Sequence, residues 1–276
     1  MRRIALQGQN GSFHHQVALD YFGAAITPIY CDTFKAVFDS LATQQADAAV
    51  CAIENSLYGS IGDVYDLLMA RPYAVTGEAI KHIRQQLIAH PEASLSDITE
   101  IYSHPAALGQ CREYLEQNFP HAEIIEHHDT AGAVEHIKTM GLRQAAAIAG
   151  SHAAAIHAMA VLAHNIEDEP TNLTRFVVLD PSAVASSTAN KASLVLNTDH
   201  SSGALYRALG IFASHSINLT KIQSRPKRGE RFRYQFFIDA ECDAPTLARI
   251  HAELEAQGCT VRVLGHYPAA MSPSSQ

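Results

Sequence analysis

Ala48-Ala49-Val50-Cys51-Ala52-Ile53-Glu54-Asn55-Ser56 is the stretch that decides the fold class. Its apolar run is unbroken from Ala48 to Ile53, where a half-exposed strand would alternate apolar and polar residues. The run therefore predicts a strand covered on both faces. The polar triplet Glu54-Asn55-Ser56 falls where that strand should end, and in open α/β sheets ligands are held beyond the carboxyl ends of the strands. One short stretch thus suggests both an architecture and a first candidate site.

The pattern extends in both directions. Upstream, Arg3–Gln7 reads as a strand, followed by the loop Gly8-Gln9-Asn10-Gly11-Ser12 and a helix over Phe13–Phe22 with Ser12 as its N-cap. Ile26–Tyr30 is a strand, and Thr33–Thr43 a helix with Phe34, Val37, Phe38 and Leu41 on one face. Downstream, strands are expected at Ile98–Tyr102, Glu123–Glu126, Ala145–Ile148 and Arg175–Leu179. Helices are expected at Pro105–Gln117, with Pro in the first turn, at Thr130–Thr139 behind Asp129, and at Ser151–Ala158. Repeated β-α alternation implies parallel sheets with helices on both faces.

Pro181 to Asn190 is small, polar and uncharged, and reads as a linker between domains. Beyond it the order is strand (Ala192–Asn197), helix (Gly203–Ser214), strand (Asn218–Ser224), strand (Tyr234–Ala240), helix (Pro245–Ala256), strand (Thr260–Gly265). That is the βαββαβ plan of ferredoxin-like domains. Pro268 to Gln276 is expected to be a loose tail.

Composition narrows the function. The chain has 276 residues, 47% of them hydrophobic and 17% charged, with a formal net charge of −8. The length suits two or three domains, and the hydrophobic content excludes an intrinsically disordered chain. The negative balance argues against general nucleic-acid binding, which needs a basic surface. The N-terminal Met1-Arg2-Arg3 is followed by too short an apolar run for a signal-peptide core, and the Ala-rich stretch from Ala145 to Ala163 is broken by Ser151, His152 and His157. No membrane span is expected. Five widely spaced cysteines without a CxxC fit reduced, mostly buried thiols in a cytoplasmic protein.

Several tempting motifs carry little. The adjacent pairs His14-His15 and His127-His128 should point apart on a helix or strand. No HExxH or zinc spacing occurs, so no metal is expected. Gly8-Gln9-Asn10-Gly11 lacks the third glycine of a dinucleotide loop and the Lys of a P-loop. The basic run Lys227 to Arg233 sits where two strands turn and reads as a solvated hairpin.

The polar clusters at predicted strand ends are Gly11-Ser12, Glu54-Asn55-Ser56, Ser103-His104 and Asp129-Thr130; Asn172-Leu173-Thr174-Arg175 precedes a strand instead. Helix N-termini at Ser12, Ser103-His104-Pro105 and Thr130 offer N–H groups to an anion. Together they suggest a small anionic, hydroxyl-bearing ligand in a cleft. Ser12 and Asp129 are read as helix caps whatever else they do, and Ser103 equally as cap or ligand.

In order and spacing these motifs resemble prephenate dehydratase, in its monofunctional form with a C-terminal ACT regulatory domain. The resemblance runs from about Arg3 to Pro268 through Gly8-x-x-Gly11-Ser12-Phe13, Glu54-Asn55-Ser56-Leu57-Tyr58-Gly59-Ser60, Ser103-His104-Pro105 with Gln110-Cys111, Asp129-Thr130-Ala131 and Asn172-Leu173-Thr174-Arg175-Phe176. In the last part it rests on Gly203-Ala204-Leu205, Ile217-Asn218-Leu219-Thr220-Lys221-Ile222 and Ser224-Arg225-Pro226. It implies an α/β fold: a catalytic domain over 1–180 made of two lobes like a periplasmic binding protein, a linker over 181–190, an ACT domain over 191–268 and a tail over 269–276.

The implied reaction is decarboxylating dehydration of prephenate to phenylpyruvate, in phenylalanine biosynthesis, without metal or organic cofactor. Thr174 is implied as donor to the departing hydroxyl. Asn55, Gln110 and Ser103 are implied to position the substrate, with Ser12, Ser56, Thr130 and Arg175 as further binding residues. Glu54 is either a rival general acid or a structural partner, and Arg175 either a carboxylate ligand or half of an ion pair.

The resemblance also implies phenylalanine as effector, bound between two ACT domains of a dimer or tetramer by Gly203, Ala204, Leu205, Asn218, Leu219, Thr220, Ser224 and Arg225. Departures from the family pattern fall at Gln9-Asn10, Ala106, Ser202 and Gln223, and the last two leave the sign of the phenylalanine effect open. Arogenate dehydratase and a non-catalytic two-lobed binding protein are the alternative readings. Cutting after Pro181 is expected to leave a folded enzyme blind to phenylalanine.

Overall fold

A computed structural model of the chain describes residues 1–227 and 229–270. Arg228 of the basic run and the tail from Met271 onward lie outside the described residues.

In chain order the elements are β1 (Arg2–Gln7), α1 (Phe13–Phe22), β2 (Ile26–Cys31), α2 (Phe34–Ala42), β3 (Ala48–Asn55), β4 (Gly59–Ser60), α3 (Gly62–Ala70), β5 (Val75–His82) and β6 (Gln86–Ala89). There follow β7 (Glu100–Ser103), α4 (Pro105–Gln110), α5 (Arg112–Asn118), β8 (Glu123–Glu126), α6 (Thr130–Thr139), β9 (Ala145–Ala149), α7 (Ser151–His157), β10 (Ala160–Ala163) and β11 (Leu173–Leu179). The remainder is β12 (Lys191–Asn197), α8 (Ala204–Ser214), β13 (Leu219–Pro226), β14 (Tyr234–Glu241), α9 (Ala244–Ala256) and β15 (Thr260–Tyr267).

These elements form two compact units. Among the described residues, the first holds Met1–Leu67 and Ile80–Phe176; the second holds Leu68–Ala79 and residues 177–270. The expected division at residues 180 to 190 therefore differs from the packing in one respect. A twelve-residue excursion, Leu68–Ala79, leaves the first unit and packs with the C-terminal part.

The first unit is α/β with two mixed sheets. One runs in the order β11-β3-β1-β2, with β4 paired to β3. Strand β1 pairs in parallel with both β2 and β3, and Ile4, Ala5, Leu6 and the Ala48–Ile53 run of β3 are almost wholly buried. The other sheet runs β10-β6-β9-β7-β8. Its middle shows why an unbroken apolar run is needed. Ala146 and Ile148 of β9 pack with Leu108, Leu115 and Phe119, while Ala145, Ala147 and Ala149 pack with Val134 and Ile137 of α6. Alternate residues thus feed two separate cores, one on each face.

The expected parallel sheets are corrected to mixed ones, because β6 runs antiparallel to β9 and β10 antiparallel to β6. Five elements had no counterpart in the sequence reading: β4, α3, β5, β6 and β10. The expected helix over Pro105–Gln117 is broken into α4 and α5 at Cys111, whose φ and ψ of −116° and 20° are not helical. The Asp168 carboxylate accepts from the N–H groups of Glu113 and Tyr114, at 3.2 and 3.3 Å, and so caps the second segment.

The second unit has the element order β12-α8-β13-β14-α9-β15, with its sheet in the order β13-β14-β12-β15 and all three pairings antiparallel. Its helices cover one face through Ala208, Ile211, Phe212, Ile250 and Leu254 against Ala192, Leu194, Leu196, Ile238 and Ala240. The excursion is tied into this unit. Gly265 pairs with Val75, the Arg262 guanidinium donates to the carbonyls of Leu68, Met69 and Arg71, and Lys191 Nζ meets the buried Glu78 carboxylate at 2.9 and 3.0 Å. The expected loose tail begins later than Pro268, since the N–H groups of Ala269 and Ala270 donate to Asn190 Oδ1 and Glu78 Oε1.

Candidate active site

A cleft of about 500 Å³ opens within the first unit, lined by strand residues of the β11-β3-β1-β2 sheet and by loop and helix residues next to the strands of the other sheet. That volume suits a small organic ligand. Strand parity decides which predicted residues reach it. Successive side chains of a strand point to opposite faces, so on β3 Asn55 and Glu54 part company, as do Thr174 and Arg175 on the neighbouring β11. Asn55 and Thr174 line the cleft. Glu54 and Arg175 meet away from it, with Arg175 Nε 3.4 Å from Glu54 Oε2 and Arg175 Nη2 3.4 Å from the Tyr65 hydroxyl. For both, the placement is that of the structural ion pair.

Thr174 lies inside β11, which begins at Leu173 rather than at the expected Arg175. Its Oγ1 is 2.9 Å from Asn55 Nδ2. The orientation of the Asn55 amide is fixed, because its Oδ1 accepts from the N–H groups of Leu57 and Tyr58, both at 3.0 Å. Nδ2 must then be the atom that faces Thr174, and it also donates to Asn172 Oδ1 and to the carbonyl of Leu173. Thr174 Oγ1 therefore accepts from Asn55 and keeps its own hydrogen to donate elsewhere.

The other lining residues come from loops and helix starts. Ser12 caps α1 by accepting from His15 N, and Asp129 caps α6 by accepting from Gly132 N, as expected. Both line the cleft, as do Thr130 and Gln110. The loop that presents Ser12 needs glycine at Gly11: φ is +92°, and a Cβ there would lie 2.8 Å from Ala153 Cα. His104, not Ser103, caps the short α4, through Nδ1 on Ala106 N. Ser103 is fully buried, donates to the carbonyl of Ile148 at 2.6 Å and does not line the cleft. Ser56 is likewise turned to structure: it donates to Thr171 O and accepts from Leu173 N.

Sequence reasoning missed Gln85, His14 and His128 as lining residues. His14 Nε2 accepts from Ala52 N at 3.1 Å, which places the ring hydrogen on Nδ1. Burial pulls its pKa down to about 4, so the ring is neutral at pH 7. The expected divergence of His127 and His128 fails: their ring centroids lie 4.2 Å apart, because the pair sits in the loop between β8 and α6 rather than in a strand. Burial raises the thiol pKa values of Cys51 and Cys111, leaving both as poor nucleophiles. Among the described residues no cluster of three or more His, Cys, Asp or Glu could hold a metal ion, and no helix is long and apolar enough to cross a membrane.

The second unit has its own cavity, of about 370 Å³, lined by Ala204 and Leu205 together with Asp199, His200, Ser202, Arg233 and Tyr234 among others. Of the residues expected to hold an effector, Ala204 and Leu205 reach it, and Gly203 precedes them as the left-handed N-cap of α8. The Ala204 N–H donates to Ser201 O. Asn218 Nδ2 donates to Glu241 Oε2, and Asn218, Leu219, Thr220, Ser224 and Arg225 do not line this cavity.

Comparison with known proteins gives this geometry a family. The sequence model described as "PDT: Prephenate dehydratase" matches residues 4–183. The chain belongs to the prephenate dehydratase family. Family relatives include the bifunctional chorismate mutase/prephenate dehydratase of Aquifex aeolicus, 34% identical over 98% of this chain and 74% of that protein. Arogenate dehydratase/prephenate dehydratase 2 of Arabidopsis thaliana is 35% identical over 96% of this chain and 72% of its own length. Among solved structures, the prephenate dehydratase of Arthrobacter aurescens in complex with L-Phe superposes with a TM-score of 0.85 at 31% identity, over 96% of this chain and 89% of that one. GqqA, described as a novel type of quorum quenching acylase, superposes with a TM-score of 0.87 at 30% identity over 100% of both chains.

Proposed function

We propose that the chain converts prephenate to phenylpyruvate by decarboxylating dehydration, a step of phenylalanine biosynthesis. The observation that carries this reading is the Asn55–Thr174 bond in the cleft, in which Thr174 accepts and so keeps its hydroxyl hydrogen to donate. The ring carboxylate departs as CO2, its bonding pair enters the ring, and the ring hydroxyl leaves from the far carbon. Taking up one proton, that hydroxide becomes water. Aromatisation supplies the driving force, so the protein has to orient a dianion and assist a poor leaving group.

Thr174 assists by hydrogen bonding in a site shielded from water, where such a bond is worth more than in solution. A threonine hydroxyl is too weak an acid to give up its proton outright, so any transfer through it is a relay. The N-termini of α1 and α6, at Ser12 and Thr130, provide N–H groups and positive dipole ends for the carboxylates. Glu54 holds Arg175 and takes no part in the chemistry.

Assay of purified protein with prephenate, following phenylpyruvate, tests the reading; absence of product from both prephenate and arogenate overturns it. Hydrolysis of an N-acyl substrate would favour the acylase activity described for GqqA. That chemistry needs an activated nucleophile and a base; of the three histidines lining the cleft, His14 is bonded to a backbone N–H with its basicity lowered, His104 Nδ1 caps α4 on Ala106 N, and His128 Nε2 is bonded to Gln9 Nε2.

The second unit we assign as an ACT domain that senses phenylalanine. Support comes from its βαββαβ order, from the cavity at Ala204 and Leu205, and from the L-Phe complex of the Arthrobacter relative. The rest of the effector site, at Asn218 to Thr220 and at Ser224-Arg225, would come from a second copy in a dimer or tetramer. Buried thiols and an anabolic role suit a cytoplasmic enzyme.

A further inference from the structure

Gln85 enters the cleft just before β6, and its backbone is held on both sides: its N–H donates to Glu167 Oε2 at 2.8 Å and its carbonyl accepts from Ile166 N at 2.9 Å. The side chain is 2% exposed. Its Nε2 donates to Gln110 Oε1 at 2.9 Å, and its Oε1 is buried with no hydrogen-bond partner. Among the described residues no protein acceptor takes the Gln110 Nε2 hydrogens. The two amides thus form a chain that ends in an acceptor at Gln85 and a donor at Gln110. If both amides turn over together, the bond between them survives with reversed polarity, and Gln85 becomes the donor and Gln110 the acceptor. A buried, unpartnered amide oxygen costs free energy until a ligand supplies a donor.

We propose that the Gln85–Gln110 pair reads the side-chain function of the substrate, accepting from the ammonium of arogenate in one amide orientation and donating to the keto oxygen of prephenate in the other. This rests on the dehydratase reading above. The assignment follows by elimination. An amide oxygen repels the two carboxylates, which suit the helix N-termini, and the leaving hydroxyl belongs to Thr174. The keto or amino group is the one polar function left. The pair is neutral and reversible, so it suits either substrate where a fixed charge would suit only one.

The experiment compares kcat and KM for both substrates in the wild type, in Gln85→Glu and in Gln85→Met. The wild type is expected to use both substrates with kcat/KM values within about 10-fold, since neither orientation leaves a buried group unpaired. Gln85→Glu makes the position acceptor-only and turns the Gln110 nitrogen toward it. The arogenate-to-prephenate ratio should rise about 10-fold or more, the worth of one charge-assisted hydrogen bond. Gln85→Met should raise KM for both substrates with little change in kcat, because the pair does not touch the departing hydroxyl.

An unchanged ratio in Gln85→Glu overturns the proposal, as does a wild type with a preference of about 10³-fold or more for one substrate, a test that needs no variant to fold. Turnover of neither substrate by the wild type overturns the dehydratase reading itself. Turnover of prephenate with an unmoved ratio overturns only the role of the pair.

Discussion

Thr174 has one hydroxyl hydrogen to give, and the Asn55 amide, locked by two backbone N–H groups, leaves it free to be given. Thr174→Ala should therefore lower kcat by about 10²-fold or more, and Thr174→Ser should recover part of that loss. Single-turnover kinetics with prephenate would check it; unchanged turnover in Thr174→Ala removes the residue from the mechanism. His14 makes a separate claim about acid. Its folded pKa, near 4, lies below the ordinary histidine value of about 6.5, so the unfolded chain takes up the proton first as pH falls. Stability is then lost between those two values, by up to roughly 3 kcal/mol from this residue. His15 and His152 are shifted the same way, mainly by burial. Urea titrations from pH 7 to pH 4 should show a smaller acid loss in His14→Gln than in the wild type. Asn55 and Thr174 were legible as cleft-lining residues because their polar motifs are local, and Gln110 only through the family resemblance. Gln85 was not, because its partner lies 25 positions away and no spacing announces it.

At the scale of elements, legibility did not follow length: the four-residue β8 was read, while the nine-residue α3 and the eight-residue β5 were missed. Helices α1 and α6 and strand β8 lie where cap residues and apolar period place them. The break at Cys111 was invisible because the signal that caps α5 comes from Asp168, far along the chain. The start of β11 was misplaced because Asn172-Leu173-Thr174 reads as a polar loop, yet a strand that carries a site must carry polar residues too. The same parity that brings Thr174 to the cleft sends Arg175 to Glu54, and this could have been read once both strands were extended by one or two residues.

A buried pair gives the prediction at this scale. Lys191 on β12 and Glu78 on β5 have side chains 9% and 1% exposed. Removing one partner leaves an uncompensated charge, so Lys191→Met should cost about 3–5 kcal/mol of stability, while the double change Glu78→Leu with Lys191→Met should cost much less. Chemical denaturation of the wild type, both single variants and the double variant is the check. A loss in the double variant equal to the sum of the losses in Lys191→Met and Glu78→Leu alone would show that the pair is not coupled.

For the molecule as a whole, two units were legible, from the linker composition and from the switch to a βαββαβ order. What the sequence concealed is that Leu68–Ala79 belongs with the later unit. A chain cut after Pro181 strands Val75 without Gly265 and Glu78 without Lys191. The truncated protein is accordingly expected to lose cooperative melting or to aggregate rather than to persist as an unregulated enzyme. Thermal denaturation followed by circular dichroism decides between the two outcomes. In the full chain, phenylalanine is expected to lower prephenate turnover and to raise the melting temperature with ligand concentration, as any ligand of the native state must. A rise in Tm without inhibition would leave the sensor assigned and its coupling refuted.

The excursion of residues 68–79 also bears on how such a chain could be rebuilt or could have been assembled. A regulatory module joined to a catalyst at one peptide bond can be exchanged by recombination at that bond. Among the described residues the backbone passes between the units three times, after Leu67, after Ala79 and after Phe176. A chimera that imports a foreign C-terminal module must import its matching twelve-residue insert as well, so a productive exchange needs a crossover at each of these three junctions.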